Sequence, residues 1–211
     1  MFQILDTMNF IHRDINMANV YGIDYESVMT RGSQFRVEAI LSRISKSQGF
    51  VLLSASPKQV FEQQELEVIP LVIEPDKMFY TDPVIIVDFQ SLYPSIIIAY
   101  NLCYSTCLGK LVTINQDAYS PTRKLGVYVI PASIKTFFGF KADQDLSEEQ
   151  ELHIMDNIII APNLNCFVKP HLRQGLLPLM LREILYTRIM VKKSMKLYEP
   201  GSTTYRMLDS R

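Results

Sequence analysis

The stretch that decides the fold is Asp88-Phe89-Gln90-Ser91-Leu92-Tyr93-Pro94-Ser95-Ile96-Ile97. Directly before it stands the apolar run Val84-Ile85-Ile86-Val87, which predicts a buried strand that ends at a carboxylate. The Ser-Leu-Tyr-Pro turn then predicts the start of an apolar helix. An Asp at a strand end is common by itself, but the full string is far more specific. It predicts a metal-binding Asp beside a row of backbone N–H groups.

Composition predicts a soluble globular protein. Of the 211 residues, 48% are hydrophobic and 20% are charged, which is enough for one or two cores. No segment reaches the roughly 18 uninterrupted apolar residues of a membrane span, and the N-terminus lacks a secretory signal pattern. We therefore expect an intracellular protein with no membrane contact. The net charge of −1 argues against a surface devoted mainly to nucleic acid, although it leaves room for a local basic stripe.

Cysteines and histidines do not form a metal site by their spacing. The three cysteines make no two closely spaced pairs of the kind that hold zinc, and the three histidines are scattered. We expect structural thiols.

Hydrophobic periodicity places the other elements. An apolar stripe predicts a helix over residues 31–48 that Gly49 closes. Short apolar runs predict strands at 50–53, 70–73, 84–87 and 127–130, and a further strand over 158–162 that Pro162 ends. Polar segments predict exposed loops or solvated faces at 62–67, 113–125 and 143–151.

The last part of the chain predicts two helices joined by a turn. Apolar positions recur at helical spacing from Gly175 to Tyr198, Pro200-Gly201 ends that helix, and a second helix begins at Thr203. Arg188 and Lys192 stand four residues apart on one face of the first helix. This basic flank suits ordinary helix solvation or phosphate binding, and spacing alone leaves both open.

The central string resembles the first palm motif of the family B DNA polymerases. The segments at 68–75, 166–169 and 175–178 are similar to those that flank the palm motif in eukaryotic members. Within the family, residues 30–38, 88–94 and 103–109 most resemble the zeta-type translesion branch, and the delta-type replicative branch is the nearest alternative.

This resemblance implies an α+β fold. We expect a palm with a mixed or antiparallel sheet around 84–89, 127–130 and 158–168, helices packed on one side, and a truncated helical fingers hairpin. Residues 1–67 are predicted to form the exit from an N-terminal exonuclease-like domain, residues 68–174 the first part of the palm, and residues 175–211 the fingers.

The resemblance also implies nucleotidyl transfer with two Mg²⁺ ions. Asp88 would be a bridging metal ligand, and the backbone carbonyl of Phe89 would add a second oxygen. The N–H groups of Ser91, Leu92 and Tyr93 would face the triphosphate. Tyr93 would also lie under the incoming sugar and exclude a ribose 2′-hydroxyl. Without the motif, Tyr93 would be interpreted as an aromatic residue of the core.

In the fingers, the same resemblance assigns Arg188 and Lys192 to the β- and γ-phosphates. Arg suits a forked contact and Lys a point-charge contact. The implied partners are primer-template DNA, deoxynucleoside triphosphates and accessory polymerase subunits, and the implied location is the nucleus. An iron–sulfur cluster would belong only to a region beyond Arg211.

Two family strings do not occur in this sequence. One is the second carboxylate motif, Asp-Thr-Asp, and the other is the Lys-x-x-x-Asn-x-x-Tyr-Gly helix. We therefore expect a fragment that is inactive alone, or, as the alternative from another class, a non-catalytic DNA-binding or scaffold module. The carboxylates Asp14, Asp24 and Glu26 do not match the exonuclease motifs of the family.

Overall fold

The computed structural model of the protein describes residues 9–62, 72–113 and 128–209. The chain divides into two compact units, one formed by the described parts of Met1–Ser54 and Leu179–Arg211, the other by those of Ala55–Pro178. The predicted domain boundaries near residues 67 and 174 stay predictions. In chain order the described elements are α1 (Phe10–Tyr21), α2 (Tyr25–Thr30), α3 (Ser33–Ser47), α4 (Pro57–Phe61), α5 (Leu92–Ala99), β1 (Cys107–Lys110), β2 (Val112–Thr113), β3 (Tyr128–Val129), α6 (Ala132–Phe137), α7 (Glu148–Asn157), β4 (Ile158–Ile160), β5 (Asn165–Val168), α8 (Leu176–Met195) and α9 (Thr203–Asp209).

In the first unit, α1, α2 and α3 pack on one another, and α3 confirms the helix predicted over 31–48. Arg43 joins α3 to the end of α1, because its Nη2 donates to the carbonyl of Val20 at 3.0 Å. Gly22 ends α1 with a φ of +65°, and a Cβ there would stand 2.6 Å from the Arg43 guanidinium. The left-handed backbone at the end of α1 therefore favours glycine at this position.

The second unit contains a three-stranded antiparallel sheet in the order β1-β5-β4. Strands β4 and β5 form a hairpin in which Ile158 lies opposite Val168, and Pro162 stands in the turn that follows β4, as predicted. A bulge lies between Cys107 and Gly109 of β1. A second, two-stranded pair joins β2 to β3, which confirms the strand predicted at 127–130 over Tyr128–Val129. Together with the helices, this antiparallel sheet confirms the α+β class.

The core of the second unit lies where this sheet meets α6 and α7. Helices α6 and α7 and strands β4 and β5 each supply one buried side chain, and two more come from residues next to β1, β2 and β3. Burial of apolar side chains is the main stabilising contribution to a fold. The buried members are Leu111, Ile130, Ile134, Ile154, Ile158 and Cys166.

Three predicted strands are wrong within the described residues. Residues 50–53 are irregular and exposed, as are Val72 and Ile73, while Pro70 and Leu71 lie outside the described residues. Residues 84–87 form no strand, and their side chains are between 66% and 91% exposed rather than buried. A strand exists only through hydrogen bonds to a neighbouring strand, and none of the described strands pairs with these residues. The palm sheet therefore does not include 84–89 in the described part of the chain.

The remaining predictions concern loops and the C-terminal helices. The loop predicted at 62–67 lies outside the described residues except for Glu62, and that at 113–125 except for Thr113, which belongs to β2. The acidic segment at 143–151 is mostly solvated and becomes helical at Glu148, where Ser147 and Gln150 form a capping box. The helix predicted from Gly175 spans Leu176–Met195, and a second one follows at Thr203–Asp209. Among the described helices, none has both the length and the apolar character that crossing a membrane requires.

Candidate functional site

Asp88 lies in irregular chain just before the turn that opens α5. Its side chain is exposed, and it makes no hydrogen bond or ion pair with any residue that the structure describes. A carboxylate without a protein partner keeps its oxygens available for a hard divalent cation. In residues 9–62, 72–113 and 128–209, however, no three Asp, Glu, His or Cys side chains cluster as a metal site would require. Asp88 is thus an exposed carboxylate, and its role as a metal ligand stays a prediction.

The start of α5 has an unusual backbone. Ser91 precedes the helix in the left-handed conformation, with φ 55° and ψ 48°, and its side chain makes no cap hydrogen bond. A left-handed conformation costs a residue with a side chain about 1–2 kcal/mol. The N–H groups of Leu92 and Tyr93 belong to the first turn and have no partner inside the helix, while Pro94 has no N–H to offer. Without a serine cap, these N–H groups are free to donate hydrogen bonds to an anion at the positive end of the helix.

Tyr93 is not a core residue in the described part of the chain. Its side chain is 80% exposed, and α5 buries none of its residues. The Tyr93 side chain forms no hydrogen bond and no aromatic or cation–π contact with another residue in the described part of the chain. The position of Tyr93 beside Asp88 in the sequence and at the first turn of α5 is therefore compatible with a ligand-facing ring, and the core interpretation is not supported.

Arg188 and Lys192 are exposed in the C-terminal half of α8, Lys192 in its last turn, and form no ion pair with the residues described here. Four residues apart, they share one face of the helix, with a separation of about 6 Å along its axis. They belong to the first unit, whereas Asp88 and Tyr93 belong to the second. Residues 88–93 therefore lie within one unit. That Arg188 and Lys192 act together with them in one site stays a prediction.

Sequence reasoning missed the residues that cap α8. The only residue directly before this helix at the cap position is Gly175, which has no side chain, and the cap comes instead from residues 101–105, more than 70 positions away. The polar string Asn101-Leu102-Cys103-Tyr104-Ser105-Thr106 after an apolar helix was the available signal. Its partners could not be identified, because contacts between distant segments leave no periodic pattern.

Two of the three N-terminal carboxylates have structural partners. Asp24 caps α2, because its carboxylate accepts hydrogen bonds from the backbone N–H and the hydroxyl of Ser27, both at 2.7 Å. These two bonds hold the pKa of Asp24 below its ordinary value. Asp14 is buried in α1, where its carboxylate lies 3.4 Å from the Nε of Arg13.

Comparison with known proteins identifies the family. A sequence profile described as DNA polymerase family B matches residues 23–211. The chain belongs to DNA polymerase family B. The family resemblance of the central motif is thereby confirmed.

Individual members of family B give the same result. The chain is 42% identical over 210 residues to the DNA polymerase zeta catalytic subunit of Arabidopsis thaliana. The aligned region covers 99% of this chain and 10% of that protein. It is 39% identical over 210 residues to the human zeta catalytic subunit, with 99% and 6% covered. Against the DNA polymerase delta catalytic subunit of Drosophila melanogaster, the identity is 32% over 209 residues, with 99% and 16% covered. The chain thus spans about a tenth of the length of these family B relatives.

A solved structure supports the family B fold. The family B DNA polymerase from the hyperthermophilic archaeon Pyrobaculum calidifontis superposes with a TM-score of 0.54 at 24% sequence identity, over 98% of this chain and 21% of that one. At this identity the match shows the fold alone.

Proposed function

We propose that this chain is part of a DNA-directed DNA polymerase of the zeta type, which extends primers past template lesions. The observation that carries the proposal is the identity of 39–42% to zeta catalytic subunits of six organisms, against 31–32% to two delta catalytic subunits. This difference favours the zeta type over the delta alternative. The activity proposed is template-directed nucleotidyl transfer.

The residues around Asp88 fit a divalent metal, although they form only part of its site. The Asp88 carboxylate is exposed and without a described partner, and the carbonyl of Phe89 follows it in irregular chain. Both are the oxygen donors that Mg²⁺ prefers, and a pair of such ions would stabilise negative charge on the attacking and leaving oxygens. Asp88 and Phe89 would hold the metal together with ligands from outside the described residues.

The first turn of α5 would bind the triphosphate of the incoming nucleotide. The N–H groups of Ser91, Leu92 and Tyr93 would donate to phosphate oxygens, where the helix dipole adds a favourable charge. The exposed ring of Tyr93 would pack under the deoxyribose. A ribose 2′-hydroxyl would then clash with the ring, and this steric exclusion selects deoxynucleotides.

Arg188 and Lys192 would neutralise the β- and γ-phosphates. Both are exposed on one face of α8 and carry no counter-charge among the described residues. The forked guanidinium of Arg188 suits two oxygens of one phosphate, while the ammonium of Lys192 provides a point charge.

The partners of the whole protein follow from this activity. We propose primer-template DNA and deoxynucleoside triphosphates as substrates, accessory polymerase subunits as protein partners, and the nucleus as the site of action, since the relatives are DNA polymerase catalytic subunits of eukaryotes. A non-catalytic module would bind DNA yet fail to extend a primer.

Primer extension by the full-length protein that carries this chain tests the proposal. Asp88→Asn keeps the size of the side chain but removes the charge, so extension should fall by at least about a hundredfold. Asp82→Asn alters another exposed carboxylate six residues upstream and should leave the rate unchanged. Equal rates for Asp88→Asn and the wild type would refute the proposal, and a wild type that binds DNA without extending it would establish the module.

A further inference from the structure

We infer that the buried side chains of Asn101 and Thr106 position α5 on the sheet and thereby place its first turn, where the nucleotide would bind. The inference rests on the proposed function, which assigns the N–H groups of this turn to the triphosphate and Tyr93 to the sugar. It adds two positioning residues that act through the helix rather than on the substrate. Residues 88–106, β5 and the segment up to Pro178 all belong to one compact unit, so every contact used here lies within that unit.

Helix α5 packs only lightly on the rest of its unit. None of its eight residues is buried in the described structure, and only Pro94, Ile97 and Ile98 are half-buried. Most of the stability of a helix in a protein comes from packing of an apolar face, and that contribution is small for α5 in the part of the chain that the structure describes. The contacts at the C-terminal end of α5 therefore have a large share in fixing where the helix lies.

Asn101 stands two residues after the end of α5 and joins this helix to the sheet. It is fully buried, and its Nδ2 donates to the carbonyls of Val168 at 2.7 Å and Arg173 at 2.8 Å. Its Oδ1 accepts a hydrogen bond from the N–H of Gly175 at 2.9 Å. Val168 is the last residue of β5. With two donor bonds and one acceptor bond, the buried carboxamide is held in one orientation against the end of that strand.

The backbone of Asn101 is also the end of the helix. Asn101 adopts a left-handed conformation with a φ of +52°, and the N–H of the next residue, Leu102, donates to the carbonyl of Ile97 at 3.0 Å. These are the features of a Schellman motif, in which one left-handed residue ends a helix. Asparagine takes this conformation more readily than most residues with a side chain. The residue that ends α5 is thus the same residue whose side chain bonds to β5, and no flexible link lies between them.

Thr106 holds the turn after α5 from the other side. Thr106 is fully buried, and its hydroxyl donates to the carbonyl of Asn101 at 2.7 Å and also lies 3.0 Å from that of Cys103. The carbonyl of Thr106 in turn accepts a hydrogen bond from the N–H of Val168 at 3.0 Å. The carbonyl of Val168 bonds to Asn101 and its N–H bonds to Thr106, so both backbone groups at the end of β5 hold the segment that follows α5.

A tilt of α5 at this junction would move its first turn. Tyr93 stands eight positions before Asn101, which is about 12 Å along a helix axis. A tilt of about 10° at the junction would therefore displace the backbone of Tyr93 by about 2 Å. A misplacement of about 1 Å at a positioned group can already cost a large factor in rate. Because the N–H groups of Leu92 and Tyr93 and the Tyr93 ring share this turn, nucleotide binding and sugar discrimination should change together.

A network that only stabilised the unit would have a different kinetic signature. Loss of stability lowers the fraction of folded enzyme, which reduces the apparent kcat but leaves KM and the ratio of ribonucleotide to deoxynucleotide incorporation unchanged. A displaced first turn changes KM and this ratio in the molecules that are folded. These two quantities therefore distinguish positioning by Asn101 and Thr106 from a merely structural role.

The test uses single-nucleotide incorporation by the full-length protein that carries this chain. Asn101→Gly removes the carboxamide but keeps a residue that adopts the left-handed backbone without strain. We expect it to raise KM for the deoxynucleoside triphosphate about threefold to tenfold and to weaken discrimination against ribonucleotides by at least about threefold. Thr106→Val removes the hydroxyl at nearly constant volume and should change both quantities in the same direction.

Two control variants separate the hydroxyl and the position of α5 from general loss of packing. Thr106→Ser keeps the hydroxyl and should retain the KM and the ratio of the wild type. Ile134→Val removes one methylene from the core of the same unit and should also retain both. The pair Thr106→Val and Thr106→Ser decides the test even if Asn101→Gly does not fold. A wild-type KM or ratio in Thr106→Val, or equal changes in either control, would overturn the inference.

Coupling to Tyr93 separates failure of this inference from failure of the proposed function. If Thr106→Val acts by moving Tyr93, it should not weaken sugar discrimination further in a Tyr93→Ala background. Effects on the ratio that multiply independently would overturn the inference and leave the proposed function intact. If Tyr93→Ala alone keeps the ratio of the wild type, the proposed sugar contact fails, and the positioning inference fails with it.

Discussion

At the scale of single residues, Tyr93 shows how far exposure can decide between two interpretations. A tyrosine in an apolar sequence is most often part of a core, but this ring is open to solvent and follows the unpartnered carboxylate of Asp88 by five residues. The motif predicts a ligand-facing role, which stays a prediction, and the sequence can suggest this role because the specificity resides in one contiguous string. Exposure itself could not be predicted, since it depends on which segments pack on α5.

Sugar discrimination tests the role of Tyr93. Tyr93→Ala in the full-length protein should incorporate ribonucleotides at least about tenfold more readily relative to deoxynucleotides, because the ring no longer excludes the 2′-hydroxyl. Incorporation of matched ribo- and deoxynucleotides gives the ratio. Tyr100→Ala, another exposed tyrosine at the end of α5, is the control and should keep the ratio of the wild type. Identical ratios in all three proteins would contradict the assignment.

The thiol of Cys166 should be chemically inert. Burial, and to a smaller extent the neighbouring Cys107, raises its pKa from the ordinary value of 9.0 to about 12. The unfolded state releases this proton at lower pH than the folded state, so the contribution to stability is full below about pH 9 and is lost as the pH rises towards 12. Alkylation at pH 8 should modify Cys107 before Cys166, and mass spectrometry of the native protein would show it. Rapid native labelling of Cys166 would be inconsistent with its burial.

At the scale of elements, the helices of this chain followed their sequence patterns more faithfully than the strands. Helix α3 and helix α8 appear where periodicity predicts them, since helical hydrogen bonds join residues close in sequence. The apolar run at 84–87 looks like a strand in the sequence but lacks a partner among the described strands. The cap of α8 could not be predicted for a related reason, because Asn101 and Gly175 meet only in the folded chain.

Helix α8 permits a sharp test of its basic face. Lys192→Ala in the full-length protein should raise KM for the nucleotide several-fold, because the positive charge that binds the phosphates is lost. The affinity for DNA should change little. Lys193→Ala removes the neighbouring exposed lysine, which projects about 100° away around the helix. Nucleotide titrations of both variants give the comparison. If the two lysines behave alike, the effect comes from general charge and not from a specific phosphate contact.

At the scale of the whole molecule, the residues that the family motifs assign to nucleotide binding fall in two compact units. Asp88 and the N–H groups of residues 91–93 belong to one unit, and Arg188 and Lys192 belong to the other. Their joint role in one site stays a prediction from the family motifs. The sequence could not predict the arrangement of the units, because no local pattern encodes the packing of one unit on another.

The 211-residue chain by itself should not extend a primer. Asp88 is the one carboxylate that the motif supplies, and neither the sequence Asp-Thr-Asp nor a cluster of three metal-binding side chains in the described residues is available to complete a two-metal site. A primer-extension assay with the purified chain and Mg²⁺ should show no incorporation above background. Template-dependent incorporation by this chain would contradict the assignment of Asp88 as one ligand of a larger set.

The open apolar run at 84–87 has a consequence for handling the chain in isolation. Four consecutive β-branched residues without a charge, whose backbone groups form no ladder with a described strand, resemble the segments that stack into cross-β fibrils. The run is flanked by Asp82-Pro83 on one side and by Asp88 on the other. Charged residues and prolines next to such a run slow this stacking. Neutralising Asp88 would therefore favour aggregation of the isolated chain. The same substitution would remove the proposed metal ligand.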